Sequence, residues 1–178
     1  MSRNVICISR TMGAAGEELG QFVADKLKFR YVDEEIVARA AEIAGVSKQA
    51  IADSERSGVD ATYSESIEKA IHETAEAGDA VIVAHGASIP LAGRADVLRV
   101  LVTASPESRA KRLADAESID LSAANKAIEE SDQARASFLE RFHDVKQELP
   151  TTYDVTVNTD TMTIATAARL VMQAALTL

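Results

Sequence analysis

The residues of this chain best placed to do chemistry lie in short polar stretches that directly follow apolar runs: residues 9–16, Asp33, residues 85–88, residues 105–112 and residues 158–160. The first stretch, Ser9-Arg10-Thr11-Met12-Gly13-Ala14-Ala15-Gly16-Glu17, carries the most information. A glycine-containing turn between a buried strand and a helix aims backbone N–H groups and the positive end of the helix at an anion. Thr11, Met12, Gly13, Ala14, Ala15, Gly16 and Glu17 therefore read as a cradle for phosphate. The literal pattern G-x-x-x-x-G-K-[ST] is absent, because its Gly, Gly, Lys and Ser/Thr positions hold Arg10, Ala15, Gly16 and Glu17. No dinucleotide fingerprint replaces it. The competing interpretation is a loop whose glycines only reverse the chain, with Glu17 and Glu18 complementing the helix macrodipole. Those carboxylates would repel a triphosphate unless a magnesium ion sat between them.

Transfer of a phosphoryl group needs positive charge and in-line placement more than covalent chemistry. Arg10, Arg109, Arg112 and Arg135 are the candidate cations, and Asp33 and Asp132 are carboxylates that could orient an acceptor or the arginines. Each has a plainer alternative. Arg109, Lys111 and Arg112 could be a solvated helix face, Asp132 and Arg135 stand three apart and could be a surface pair, and His85 could be a neutral loop histidine. Three scattered histidines make no metal set. Arg135 continues the stripe of Ile128, Ser131, Phe138 and Phe142, which turns its guanidinium towards the protein.

The elements that must position these residues follow from the apolar pattern. Val5-Ile6-Cys7-Ile8-Ser9 is a strand buried on both faces, and apolar residues at helical spacing follow over about 17–28. A brief strand at 29–32 precedes a helix through Ile36, Ala40 and Ile43 that Gly45 ends, then a shorter helix opened by Ser47 that fades near Ser54. Residues 54–64 read as loop, 64–77 as helix and 80–84 as strand. Residues 97–102 form a further strand, and Ser105-Pro106-Glu107 is a strong helix start. A long helix is expected from 121 to 147 with Pro150 as its stop, then a strand over 153–158 and a helix over 161–176. Strands alternating with helices imply a doubly wound α/β fold: one domain over residues 1–178 with a five-stranded parallel sheet, the 5–9 strand central and the 13–16 loop at its C-terminal end.

The 178 residues carry 19 Lys and Arg against 28 Asp and Glu, a net charge of −9. That field opposes a nucleic-acid partner, so an anionic ligand must be held by local arginines and N–H groups. The single cysteine, Cys7, sits in an apolar run and reads as an inert buried thiol of a reducing, cytoplasmic compartment. No run approaches the roughly 18 apolar residues that a membrane span requires.

Several segments resemble, in order along nearly the whole chain, the cytidylate kinase-like family. They are Val5-Ile6-Cys7-Ile8-Ser9-Arg10, Gly13-Ala14-Ala15-Gly16-Glu17-Glu18-Leu19-Gly20, Tyr31-Val32-Asp33-Glu34-Glu35-Ile36, Val81-Ile82-Val83-Ala84-His85-Gly86-Ala87, Leu98-Arg99-Val100, Ser105-Pro106-Glu107-Ser108-Arg109-Ala110-Lys111-Arg112, Asp132 with Arg135-Ala136, and Tyr153-Asp154-Val155-Thr156-Val157-Asn158-Thr159-Asp160. The resemblance implies a P-loop nucleoside-monophosphate kinase fold that uses ATP and magnesium. It makes residues 10–17 the phosphate loop, and sets Asp33 and His85 towards the acceptor. Arg109 and Arg112 would open a lid over about 105–150, with Asp132 and Arg135 as its far wall. Glu17 stands where the family often has a basic residue, and His85 where it has arginine. Three functions are weighed: a phosphotransferase with weak or altered activity, a non-catalytic module that senses a nucleotide or other anion, and a structural or partner-binding relic with an empty site, which the four arginines at site positions disfavour. Two substitutions express these expectations. Arg135→Ala should weaken anion binding at little cost in stability, and Gly16→Lys with Glu17→Ser should strengthen triphosphate binding.

Overall fold

The computed structural model of the chain describes residues 3–57, 62–83, 86–146 and 148–177, without the side chains of 56 and 57. Its elements are β1 (Val5–Arg10), α1 (Gly16–Leu27), β2 (Arg30–Val32), α2 (Glu34–Ala44), α3 (Lys48–Ser57), α4 (Ser64–Ala77), β3 (Ala80–Val83), β4 (Val97–Thr103), α5 (Pro106–Glu117), α6 (Leu121–His143), a 3-10 turn (Pro150–Thr152), β5 (Val155–Asn158) and α7 (Ile164–Thr177). The five strands form one sheet in the order β2-β3-β1-β4-β5, parallel throughout, so β1 lies in the middle as the sequence predicts.

Alternate residues of the strands feed two cores, because successive side chains of a strand point to opposite faces. Val5, Cys7, Val32 and Ile82 pack on one face with Ile36, Ala40, Ile51, Ile67 and Ile71 from α2, α3 and α4. Ile6, Ile8, Val81, Val100 and Val157 pack on the other with Leu19 and Val23 from α1 and Ala168 and Val171 from α7. A third cluster, Ala110, Ala114, Ala124 and Ile128, joins α5 to α6. Small alanines let these two helices approach closely. Cys7 is fully buried, and burial pushes its thiol up to about 12.

Several boundaries differ from the sequence expectation: β5 begins at Val155 rather than 153, α7 at Ile164 rather than 161, and two helix ends move. α6 stops at His143 rather than continuing to 147, because Asp144 turns into the left-handed region (φ 53) and its N–H returns to the Leu139 and Glu140 carbonyls. Asp tolerates that conformation at a helix end, so the helix ends before Pro150 is reached. α3 persists to Ser57, past the expected fade at 54, with Ile51 and Ser54 buried. Among the described residues no helix is long and apolar enough to cross a membrane.

Candidate functional site

β1 delivers the chain to the middle of the sheet's C-terminal edge, where ligands of parallel α/β sheets bind. Residues 10–16 make the turn from β1 into α1. Two left-handed residues shape it, Gly13 (φ 76) and Ala15 (φ 63), the latter being the N-cap of α1. Gly13 is obligatory for a second reason: a Cβ there would lie 2.7 Å from the Arg109 carbonyl oxygen of α5. Ala15 supplies no capping side chain. The first N–H groups of any helix lack intrahelical acceptors, and at α1, as at α2 and α4, no N-cap side chain answers them. α5 and α6, by contrast, are capped by the side chains of Ser105 and Asp120.

The loop is held by its carbonyl oxygens. Arg109, 5% exposed, donates Nε–H to Met12 O (2.7 Å) and both terminal nitrogens to Asp132 (2.9 and 2.6 Å). Arg112 donates to Gly13 O (3.2 Å), to the Thr159 hydroxyl (2.9 Å) and to the Thr159 carbonyl. Thr159 in turn donates its hydroxyl to Ala14 O (2.9 Å). Sequence reading set Arg109 and Arg112 against the transferring phosphoryl group. In the structure these guanidiniums bond to the loop's carbonyls, to Asp132 and to Thr159. Asp132 is thereby the partner of Arg109 rather than of Arg135.

On its other side the loop borders a pocket of about 600 Å³ lined by Arg10 and Met12, Val37 of α2, Ala52 and Glu55 of α3, Gly86, and Ser131, Ala134, Arg135 and Phe138 of α6. A neighbouring hollow of about 280 Å³, lined by Thr11, Asp132, Arg135 and Glu148 among others, shares Arg135. The fold thus brings Arg10, Thr11, Met12, Asp132 and Arg135 together. Asp33 sits at the start of α2 and lines neither space. Its charge, after burial and ahead of that of Glu17, raises the Tyr31 phenol. His85 lies outside the described residues.

Arg10 Nε approaches Glu17 Oε1 to 2.5 Å, an ion pair by distance without hydrogen-bond alignment. The Thr11 hydroxyl is buried with no hydrogen-bond partner among the described residues. Arg135 is clamped by Glu148 through two bonds of 2.9 and 2.6 Å, and the Tyr153 hydroxyl donates to the same carboxylate. Burial alone would lower the Arg135 pKa, but the bonds to Glu148 outweigh it and the net shift is upward. Tyr153 is pushed up to about 12, first by burial and then by Glu148. Glu55, Glu148 and Tyr153 were not legible as site residues. Glu55 falls where the sequence reads as loop, and Glu148 follows a helix end without any pattern of its own.

Comparisons with known proteins agree with this architecture. A protein of Eubacterium ventriosum described as uncharacterized superposes with a TM-score of 0.77 at 19% identity, over 95% of this chain and 96% of that one. A shikimate kinase from Bacteroides thetaiotaomicron gives 0.62 at 18% identity over 95% and 96%. A gluconokinase from Sinorhizobium meliloti gives 0.59 at 11% identity over 97% and 91%. No curated protein sequence matches the chain. The family model described as "Cytidylate kinase-like family" matches residues 5–161. With that match spanning the loop between β1 and α1, the arginine-bearing helices and all five strands, the chain belongs to the cytidylate kinase-like family and has the fold of the P-loop kinases.

Proposed function

We propose that the chain binds a nucleoside triphosphate at the 10–17 loop and transfers its γ-phosphoryl group to a small acceptor in the adjoining pocket. It would do so as an ATP-dependent kinase homologue of the nucleoside-monophosphate type, with weak or altered turnover. The observation that carries this is that one loop runs from Arg10 and Met12, which line a pocket of about 600 Å³, to the uncapped start of α1. The site fits the nucleotide: the N–H groups of 16–18, the unpartnered Thr11 hydroxyl and Arg10 all stand at the loop. Magnesium takes one or two carboxylates besides phosphate oxygens and water, and Glu17, in the first turn of α1, is a carboxylate at the loop. Bound there, the ion would neutralise charge developing on the phosphates.

The chain's own residues divide the remaining work. Arg109, Arg112 and Thr159 hold the loop's shape, so that its donors are in place before the nucleotide arrives. Arg135, at the boundary of both pockets, would meet an anionic group of the acceptor, while Phe138, Val37 and Ala52 supply an apolar wall and Glu55 an acceptor of hydrogen bonds. Residues 105–150, with α5 and α6, are the cover of the site in this scheme. A shikimate kinase and a gluconokinase share the fold, which suits a small polar acceptor.

Isothermal titration with nucleoside mono-, di- and triphosphates, with and without magnesium, tests the reading. Triphosphate binding that magnesium strengthens is expected, with turnover below the ordinary kinase range of about 1–100 per second. Absence of binding to all three would sink it. A second reading, a nucleotide-sensing module without turnover, is favoured by Glu17, whose carboxylate lies 2.5 Å from Arg10 and offsets its charge.

A further inference from the structure

We infer that Arg10 supplies, from the end of β1, the cation that the G-x-x-x-x-G-K-[ST] pattern supplies from the start of its helix, and that Arg10 and Gly16 are an exchanged pair. The inference rests on the nucleotide-binding reading above. Counted from the strand end, the pattern's first Gly falls on position 10, its second Gly on 15 and its Lys on 16. The backbone agrees with that alignment, since Ala15 occupies the left-handed conformation that glycine favours and α1 begins at Gly16.

The space at Gly16 explains why the lysine is missing. A Cβ built on Gly16 would lie 2.4 Å from Arg10 Cβ and 2.7 Å from Arg10 Cγ. Those atoms are the root of the side chain, unable to swing aside. Positions 10 and 16 therefore share one volume, and only one of them can carry a long side chain. A glycine at the first position with a lysine at the second is one solution; Arg10 with Gly16 is the other. Arg10 crosses Gly16, and its guanidinium reaches Glu17, at the position where the pattern has Ser or Thr. Glu17 holds the cation until phosphate oxygens compete for it. The expectation that Gly16→Lys with Glu17→Ser tightens triphosphate binding is thus corrected: with Arg10 in place, the introduced lysine side chain has no room.

Two measurements test the exchange. In thermal melting, Gly16→Lys should lower the midpoint, and adding Arg10→Gly should recover part of the loss. Strictly additive losses would overturn the steric pairing. In titration with magnesium and ATP, Arg10→Gln, which keeps the stem over Gly16, should weaken binding by about 10- to 100-fold, whereas Arg10→Lys should stay within a few-fold of wild type. The fourfold variant Arg10→Gly, Ala15→Gly, Gly16→Lys, Glu17→Ser restores the full pattern and should bind at least as tightly as wild type. Wild-type affinity unchanged by Arg10→Gln overturns the inference alone. A wild-type protein without triphosphate affinity overturns the functional reading and the inference together.

Discussion

Arg135 shows how one side chain can serve stability and binding at once. Its guanidinium is 17% exposed and doubly bonded to Glu148, itself 18% exposed, with Tyr153 completing the cluster. Removing the arginine leaves a carboxylate with little water and no countercharge. Arg135→Ala should therefore cost about 1–3 kcal/mol in urea unfolding, in addition to weakening anion binding. The sequence alone led to the opposite expectation on stability, because a partner 13 residues away beyond the helix end cannot be seen in a helical stripe. An unchanged unfolding midpoint would show that Glu148 finds water when Arg135 is gone.

Among the elements, α5 and α6 both pack on each other and fix the loop between β1 and α1. Arg109 joins three segments, bonding Met12 of the loop and Asp132 of α6 from its own place on α5. Breaking a buried ion pair costs about 3–5 kcal/mol, but Asp132 is 43% exposed and recovers part of its hydration. Arg109→Ala is expected to destabilise the fold by about 2 kcal/mol and to reduce triphosphate affinity, read by urea unfolding and titration. Arg109→Lys should rescue neither fully, since an ammonium cannot span Met12 O and both Asp132 oxygens. Full rescue by lysine would mean that charge alone, without the fork geometry, holds the loop.

Over the whole molecule, stability should fall in two steps as the solution is acidified. His143, at the end of α6, is almost fully buried against Phe138, with Glu68 at 3.7 Å and Glu55 facing it. Burial lowers its pKa below 6.5, and Glu55 offsets this only in part. The folded state thus prefers the neutral ring, so its contribution is complete above the unfolded value and declines as pH drops below it. Asp154 behaves as a depressed carboxylate. Burial would raise it, but the Arg99 bonds and the Arg3 charge outweigh that and lower it below 3.8, so its contribution is lost on further acidification. Melting temperature should begin to decline as pH falls through the ordinary histidine range, about 6.5, and His143→Gln should flatten that first step. An identical slope in the variant would move the effect to other groups.

What the sequence determined by itself is what burial dictates locally. Short β-branched runs such as Val5-Ile6-Cys7-Ile8 favour strands covered on both faces, helical spacing marks the faces of α1 and α2, and Ser105-Pro106 and Gly45 punctuate helices through their own backbone and side-chain chemistry. These signals place the strand–loop–helix unit, and with it the candidate phosphate loop, without reference to anything distant. Only the tertiary structure decided where the charged side chains go. Once β1 lies between β3 and β4, Arg109 meets a carbonyl 97 residues earlier in the chain, and Arg112 meets Thr159. The overlap of Arg10 with the space above Gly16 was equally hidden, because a glycine in a sequence does not say whether it serves a backbone angle or yields its volume to a neighbour. Long polar side chains reach across elements, so their partners are set by strand order and loop path, whereas the periodicity that reveals the elements reports only each residue's own face.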